Sequence, residues 1–172
     1  VTPQFNITYR NNTIWNCEYS FEYWNRPEAS ETWNIRFENN TCYNAGGGWG
    51  HGQRPDPSGR HLCFYTSPAH ARDIIIRNNI FYEALGNAFY APTWPRDAID
   101  ALVMDYNCWY QSAGDMISID DSRYPMAAFT DYQKEYKKEP NSLAAAPQFE
   151  NIEARDFELK PESPCMGMGV IK

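Results

Sequence analysis

Apolar and polar residues alternate along the first two thirds of the chain in four segments that align without gaps. Alternation with period two is typical of a β-strand with one buried face. A shared asparagine recurs at Asn12, Asn40, Asn79 and Asn107, at intervals of 28, 39 and 28 residues. The longer middle interval indicates an insertion of 11 residues. The four segments are Asn6–Cys17, Asn34–Ala45, Asp73–Ala84 and Ala101–Ser112.

Equivalent positions of the segments form columns that suit parallel stacking. One apolar column begins at Ile7 and a second begins at Tyr9. The column that begins at Arg10 alternates in charge, and neighbouring strands lie about 4.8 Å apart, so opposite charges would meet and stabilise the stack. The three columns are Ile7, Ile35, Ile74 and Leu102; Tyr9, Phe37, Ile76 and Met104; and Arg10, Glu38, Arg77 and Asp105.

The asparagine positions predict the ends of these strands. Asn tolerates left-handed backbone and bonds locally at turns, and stacked Asn side chains can form a hydrogen-bonded ladder. A second strand is then expected in each unit, with one inward and one outward column. The inward column is Phe21, Leu62, Ala88 and Met116, and the outward one is Ser20, His61, Asn87 and Asp115.

The repeat and the tail resemble one family. The unit N-I-x-φ-x-N-N-x-φ-φ-x-small is similar to the coil consensus of right-handed parallel β-helix proteins of the pectate-lyase-like superfamily. The tail Asp156–Gly167 reads DFELKPESPCMG and resembles the closing segment of many secreted bacterial β-helix proteins. A leucine-rich repeat is the rival fold, but its leucine pattern is missing.

The resemblance implies an all-β fold, a right-handed parallel β-helix (solenoid) of about four coils with a C-terminal capping segment. We assign the coils to residues 1–125 and the closing segment to residues 126–172. Open coils expose strand edges that need a cover. Val1–Phe5 is too short for this purpose, so we expect further coils upstream in the native protein, of which this chain would be a fragment.

Charge and cysteine content narrow the classes of function. The net charge is −7 and no basic cluster occurs, which argues against nucleic-acid or anionic-membrane partners. The sequence contains no run of 18 apolar residues, so no membrane span is predicted. The five cysteines are odd in number and form no CxxC motif, so we expect buried free thiols.

The insertion within Gly46–Arg60 is the first candidate for a site, because loops on a rigid scaffold often carry function. It contains aromatic, cationic and acidic side chains, the types that a sugar site would use. A Gly-rich surface loop without a function is the alternative. The predicted substrate-binding residues are Trp24, Trp49, His51, Arg54 and Arg60.

The predicted catalytic residues are Glu22, His61 and Asp115, which would lie along one outer face. Glycoside hydrolysis needs two carboxyl groups about 5–9.5 Å apart, whereas a lyase would need a base such as His or Arg. The histidine spacing matches no metal motif, so no cofactor is expected, although a lyase could use calcium. A further column, Trp15, Tyr43, Tyr82 and Tyr110, is interpreted as core stacking, with an outward sugar platform as the alternative.

By family resemblance, the expected protein is a carbohydrate-active enzyme that is extracellular or periplasmic and acts on a polysaccharide or oligosaccharide. A glycoside hydrolase is favoured. A lyase of uronate-containing glycans and a non-catalytic binding or adhesion solenoid remain as alternatives. A further possibility is a C-terminal scaffold with catalysis in missing coils. Fold alone does not decide among them.

Overall fold

The computed structural model describes residues 2–25, 31–48, 55, 58–66 and 70–170. Strands account for 46% of the chain and helices for 11%, so the predicted all-β class holds. Three parallel sheets form because each strand pairs with the strand that occupies the same place in the next repeat. The arrangement is compatible with a parallel β-helix.

Each sheet collects one strand from every repeat, in chain order. The first sheet contains β1 (Gln4–Arg10), β4 (Thr32–Glu38), β7 (Ala71–Arg77) and β10 (Val103–Asp105). The second contains β2 (Thr13–Trp15), β5 (Thr41–Ala45), β8 (Ile80–Ala84), β11 (Cys108–Tyr110) and β14 (Leu143–Ala144). The third contains β3 (Tyr19–Tyr23), β6 (Arg60–Phe64), β9 (Phe89–Ala91), β12 (Asp115–Ile119) and the antiparallel β13 (Ser122–Pro125).

The register confirms the columns of the first strand. Arg10 pairs with Glu38, Glu38 with Arg77, and Arg77 with Asp105. Arg77 Nε donates to Glu38 Oε1 at 2.9 Å, and Glu38 is only 8% exposed. The alternation of charge therefore neutralises a partly buried row. Inward positions of the three sheets interdigitate in one core that includes Phe37, Leu62, Ile76, Phe81 and Trp109.

A ladder of asparagine side chains runs through the predicted positions. Asn12 Nδ2 donates to Asn40 Oδ1 at 2.9 Å, Asn40 Nδ2 to Asn79 Oδ1 at 3.1 Å, and Asn79 Nδ2 to Asn107 Oδ1 at 3.1 Å. Each amide oxygen also accepts the backbone N–H of the preceding asparagine. Asn107 Nδ2 donates in turn to Glu139 Oε2 at 3.2 Å, so the ladder ends on a buried carboxylate.

The residue before each ladder asparagine has left-handed backbone, as predicted for the end of a strand. The φ angles are 57° at Asn11, 54° at Asn39 and 56° at Asn78. Tyr106 adopts the same conformation at 56°, although a bulky residue is rarely found there. These corners turn the chain from the first sheet into the second.

The expected alignment of the third-sheet strands is wrong by one residue between the second and third repeats. Leu62 pairs with Phe89 rather than with Ala88, whereas the expected alignment of the third repeat with the fourth is confirmed, since Phe89 pairs with Ile117. The reason is a corner that is one residue longer in the third and fourth repeats. Consequently Asp115 lies level with Asn87, whose Nδ2 donates to the Asp115 carbonyl at 2.7 Å, and not level with His61.

Two short helices and antiparallel strands follow the stack at its C-terminal side, and a third short helix connects β9 to β10. In the last helix, Phe129, Tyr132 and Tyr136 are buried and join the main core. None of the helices in the described ranges is long and apolar enough to cross a membrane. The helices are α1 (Arg96–Ala101), a 3-10 helix (Met126–Ala128) and α2 (Phe129–Tyr136), and the last hairpin consists of β15 (Phe149–Asn151) and β16 (Asp156–Leu159).

A second core lies between this hairpin and the outer face of the second sheet, and it corrects two expectations. The aromatic column faces outward rather than into the main core, with Tyr43 and Tyr82 stacked at 5.6 Å beneath the hairpin's Phe149 and Phe157. Cys108 and Cys165 form a disulfide within this second core. Of the other cysteines, Cys42 and Cys63 are buried free thiols and Cys17 is exposed.

The buried carboxyl group of Glu139 should make the stability of the protein depend on pH. Burial raises its pKa from 4.5 to about 7, against the opposing effect of its hydrogen bonds from Trp109 and Asn107. Because the folded-state pKa lies above the unfolded one, the free energy of unfolding should fall by about 3 kcal/mol as pH rises from 4.5 to 7. Glu139→Gln keeps an acceptor oxygen for Asn107 and should remove this component.

Urea denaturation of both proteins across this pH range measures the effect, and the difference between the two profiles isolates Glu139. Glu150→Gln, at an exposed position of β15, is the matched control and should follow the parent. Parallel profiles for the parent and Glu139→Gln would contradict the prediction.

The disulfide predicts the stability of the tail. It closes a separation of 57 residues, and a crosslink of this kind stabilises a folded chain by about 2–4 kcal/mol. Replacement of Cys108 and Cys165 together by alanine should lower the free energy of unfolding by that amount and make the hairpin sensitive to limited proteolysis. Cys17→Ala removes an exposed thiol and should change neither result. An unaltered proteolysis pattern in the double variant would refute the tethering role.

Candidate functional site

The insertion leaves the stack through a tightly closed stem. Gly46 has φ +88°, and a Cβ on it would lie 2.7 Å from the Cα of Gly59. The two ends of the insertion therefore touch, which explains how 11 extra residues fit between β5 and β6 without disturbing the register. Of the predicted binding residues, Trp49, His51 and Arg54 lie outside the described residues.

The base of the insertion carries a small polar cluster beside the first residues of β3 and β6. Glu18 is buried, and its Oε1 accepts from Ser58 Oγ at 3.2 Å. The hydroxyls of Ser58 and Tyr19 lie 3.2 Å apart. Arg60 places its guanidinium carbon 3.7 Å from the centre of the Tyr90 ring. The contact with Tyr90 holds Arg60 against the sheet.

His61 lies inside the stack, contrary to the outward position expected from the sequence. It is 0% exposed, and its ring centre lies 5.7 Å from that of Phe81 in the core. Its Nδ1 lies 3.0 Å from Ser20 Oγ. Burial lowers the pKa of His61 from 6.5 to about 4, so the ring is neutral at pH 7. A side chain enclosed in this way packs the core and does not reach a polysaccharide.

Glu22 and Asp115 are not brought together. Glu22 pairs with Cys63, Cys63 with Tyr90, and Tyr90 with Ser118. Three strand spacings separate Glu22 from the level of β12, which is about 14 Å, and Asp115 lies further along that strand. This exceeds the 5–9.5 Å that paired glycosidase carboxyl groups require. The predicted catalytic set therefore does not assemble.

Trp24 and Glu22 are both exposed in the first repeat, and Trp24 retains 55% of its surface. They line a recess of only about 100 Å³ beside Ile7 and Phe21. The recess lies where inward-facing side chains of the first repeat meet solvent. It is too small for a sugar ring and its neighbours, since ligand pockets usually measure about 300–1,000 Å³.

A larger groove lies between the outer face of the second sheet and the C-terminal segment, and sequence reasoning missed it. Its volume is about 580 Å³, within the usual range for ligand sites. One wall is the start of the second sheet, and the other is the hairpin with the segment that follows it. The groove is lined by Thr13, Trp15, Thr41, Ile80, Arg155, Asp156, Phe157, Glu158, Leu159, Met166, Gly167, Met168 and Val170.

Trp15 supplies the aromatic surface of this groove. It continues the outward aromatic column, but the hairpin covers it less completely, so it stays 39% exposed. Phe157 lies 6.3 Å away between ring centres, and the Arg155 guanidinium carbon lies 5.6 Å from the centre of the Trp15 ring. The site thus combines an apolar floor with a cation at its edge.

Two carboxylates stand on the hairpin wall of the groove. Asp156 and Glu158 lie two positions apart on β16 and are both exposed, so they share one face of the strand. Asp156 Oδ1 also accepts the backbone N–H of Glu158 at 3.1 Å. Successive same-face positions are about 6.8 Å apart along a strand. Phe157 lies between them in the strand and packs toward Trp15 and Tyr43, so the two carboxylates belong to the outer rim of the groove.

Gly169 and Val170 close the floor of the groove. Gly169 N–H donates to the Asn78 carbonyl at 2.7 Å, and Val170 N–H donates to Thr41 Oγ1 at 3.2 Å. Gly169 has φ +78°, and a Cβ there would lie 2.6 Å from Thr41 Oγ1, so only glycine fits. In the described parts of the chain, no cluster of three or more His, Cys, Asp or Glu could hold a metal ion.

Comparisons with known proteins identify no matching family model, curated protein or solved structure. The function of the chain must therefore be inferred from its own residues and geometry. The groove is the strongest candidate for a functional site, because a volume typical of ligand sites, an exposed aromatic ring and polar groups occur there together.

Proposed function

We propose that the chain is a right-handed parallel β-helix protein that binds a polysaccharide or oligosaccharide in the groove beside Trp15. The observation that carries this proposal is the partly exposed Trp15 ring inside a groove of about 580 Å³. Aromatic faces bind the apolar surface of a sugar ring, while polar groups at the edge can bond its hydroxyls.

The wider assignment to the pectate-lyase-like superfamily rests on the repeat, the tail motif and the parallel pairing of strands across repeats. An extracellular or periplasmic location is part of the proposal. The Cys108–Cys165 disulfide supports it, because disulfides persist mainly in oxidising compartments.

Glycan binding predicts unequal roles for two exposed tryptophans. Trp15→Ala should weaken binding of the best oligosaccharide on a glycan array by about tenfold or more, since an aromatic anchor contributes at least about 1.4 kcal/mol. Trp24→Ala, at a more exposed ring outside the groove, is the matched control and should bind like the parent.

Titration calorimetry with the selected oligosaccharide measures both variants. Loss of binding in Trp24→Ala with retention in Trp15→Ala would overturn the assignment of the groove. Retention in both variants would refute an aromatic platform at either position.

A glycoside hydrolase is the second candidate, and it is favoured by the Asp156 and Glu158 pair. Their spacing along β16, about 6.8 Å between backbone positions, is compatible with the separation of about 6.5–9.5 Å in inverting enzymes. Both residues line the groove that contains Trp15. A lyase remains a prediction from the resemblance, without a specific contact in its favour.

If the protein is a hydrolase, substitutions of its catalytic carboxylates should reduce turnover without reducing the affinity for the oligosaccharide. If Asp156 and Glu158 act as acid and base, Asp156→Asn and Glu158→Gln should each reduce release of reducing sugar by at least about a hundredfold while the affinity of the oligosaccharide is kept. Glu150→Gln on the neighbouring strand is the control. Binding by the parent without any product would instead assign the groove to recognition alone.

A further inference from the structure

The inner wall of the groove beside Trp15 is apolar. Ile80 is 1% exposed, and Leu159 and Met168 are half-buried. All three also belong to the second core between the hairpin and the second sheet, so the groove continues that core toward solvent. An apolar surface that is open to water gains free energy when an apolar group covers it. The interior of the groove therefore favours an apolar part of a ligand.

Thr41 is the one polar side chain among the enclosed groove residues in the described part of the chain. It is 2% exposed, and its Oγ1 already accepts the N–H of Val170 at 3.2 Å. A sugar hydroxyl that entered this part of the groove would lose its hydrogen bonds to water and meet few side-chain partners, which is unfavourable. The sugar itself therefore belongs at the rim rather than in the interior.

The rim carries groups that can bond a neutral sugar. Arg155 only donates, whereas ionised Asp156 and Glu158 only accept, and all three are exposed. A sugar hydroxyl both donates and accepts, so it can pair with either kind of group. The two carboxylates outnumber the one guanidinium, and their repulsion disfavours an anionic sugar. Trp15, next to Arg155, offers its ring to the face of the sugar.

The interior suits an aromatic ring better than a flexible acyl chain. Phe157 and Trp15 line the groove with ring centres 6.3 Å apart, and aromatic pairs are more stable than their buried area alone implies. Met166 and Met168 add two thioethers to the wall, and a thioether makes favourable contacts with an aromatic ring. Two rings and two sulfur atoms at one groove therefore favour a planar aromatic occupant.

We propose that the groove recognises a neutral sugar that carries an aromatic substituent, as an aryl glycoside does. The sugar lies at the rim beside Trp15. The aromatic group packs against Ile80, Leu159 and Met168. Sugars without such a group use the rim alone and bind more weakly. This inference rests on the proposed glycan binding and specifies the class of ligand.

Phenyl and methyl glycosides of glucose, galactose, mannose and xylose test the inference by titration calorimetry with the parent protein. For the sugar that binds best, the phenyl glycoside should bind about tenfold more tightly or better, because its ring buries apolar surface that a methyl group lacks. The cyclohexyl glycoside of the same sugar should bind less tightly than the phenyl glycoside, because it lacks the contacts that are specific to an aromatic ring.

The outcomes separate this inference from the proposed function. Equal affinities of the methyl and phenyl glycosides would overturn the inference and leave glycan binding intact. A cyclohexyl glycoside that binds as tightly as the phenyl glycoside would overturn the preference for an aromatic group. If neither the glycosides nor any oligosaccharide of the array binds, glycan binding itself is refuted, and this inference with it.

Substitutions at Met168 locate the aromatic group. Met168→Gln places a polar group in the interior and should reduce the preference for the phenyl glycoside to about threefold or less, with the methyl glycoside bound as by the parent. Met168→Leu keeps the wall apolar and should retain most of the preference. Met126→Gln, at a half-buried methionine of the main core, is the matched control. An unchanged preference in Met168→Gln, or its loss in Met168→Leu, would overturn the proposal.

Discussion

Buried asparagine amides must find partners inside the stack, and this constraint organises the molecule. An unpaired buried amide costs about 1–3 kcal/mol, so each ladder asparagine is stable only when its neighbours are in register. A slip of one residue would leave several amides unpaired and turn apolar side chains outward. The ladder fixes the alignment of the second sheet, and the first and third sheets follow from it through short corners.

The ladder also explains the choice of residue at its end. Every asparagine donates toward the C-terminal side, so the last one needs an acceptor. Glu139 provides it and also accepts from Trp109 Nε1 at 3.0 Å. The same Oε2 atom accepts both hydrogen bonds, so the ladder ends at Glu139. Burial of this carboxylate raises its pKa, and this links the end of the stack to pH.

The groove depends on a separate piece of packing. The hairpin of β15 and β16 covers Tyr43 and Tyr82 but leaves Trp15 partly open. The disulfide from Cys108 holds the covering segment in place. One outward aromatic column therefore has two roles along its length, as a buried support under the hairpin and as an exposed surface beyond it.

Much of the stack could be predicted from the sequence because its columns are local and periodic. One repeated segment was enough to predict the ladder from Asn12 to Asn107, the alternating charges and the corner conformations. The third-sheet register was not, since a corner lengthened by one residue leaves no mark in composition. That single residue moved Asp115 away from the level of His61.

The groove could not be predicted, because it forms between elements far apart in the chain. Trp15 and Arg155 belong to the first repeat and to the last hairpin, and only the folded tail brings them together. The orientation of the aromatic column was equally hidden, because apolar residues alternate with other apolar residues in the second sheet. Where both faces of a strand are covered, alternation of apolar and polar residues does not show which side chains face the main core.

Hydrogen exchange of the ladder side chains tests the central claim most directly. The Nδ2 protons of Asn40, Asn79 and Asn107, followed by NMR, should exchange only on global unfolding, whereas those of exposed Asn151 should exchange rapidly. The Nδ2 protons of Asn12, which is exposed, should exchange at an intermediate rate. Exchange of Asn79 as fast as that of Asn151 would contradict a buried ladder and, with it, the register of the whole stack.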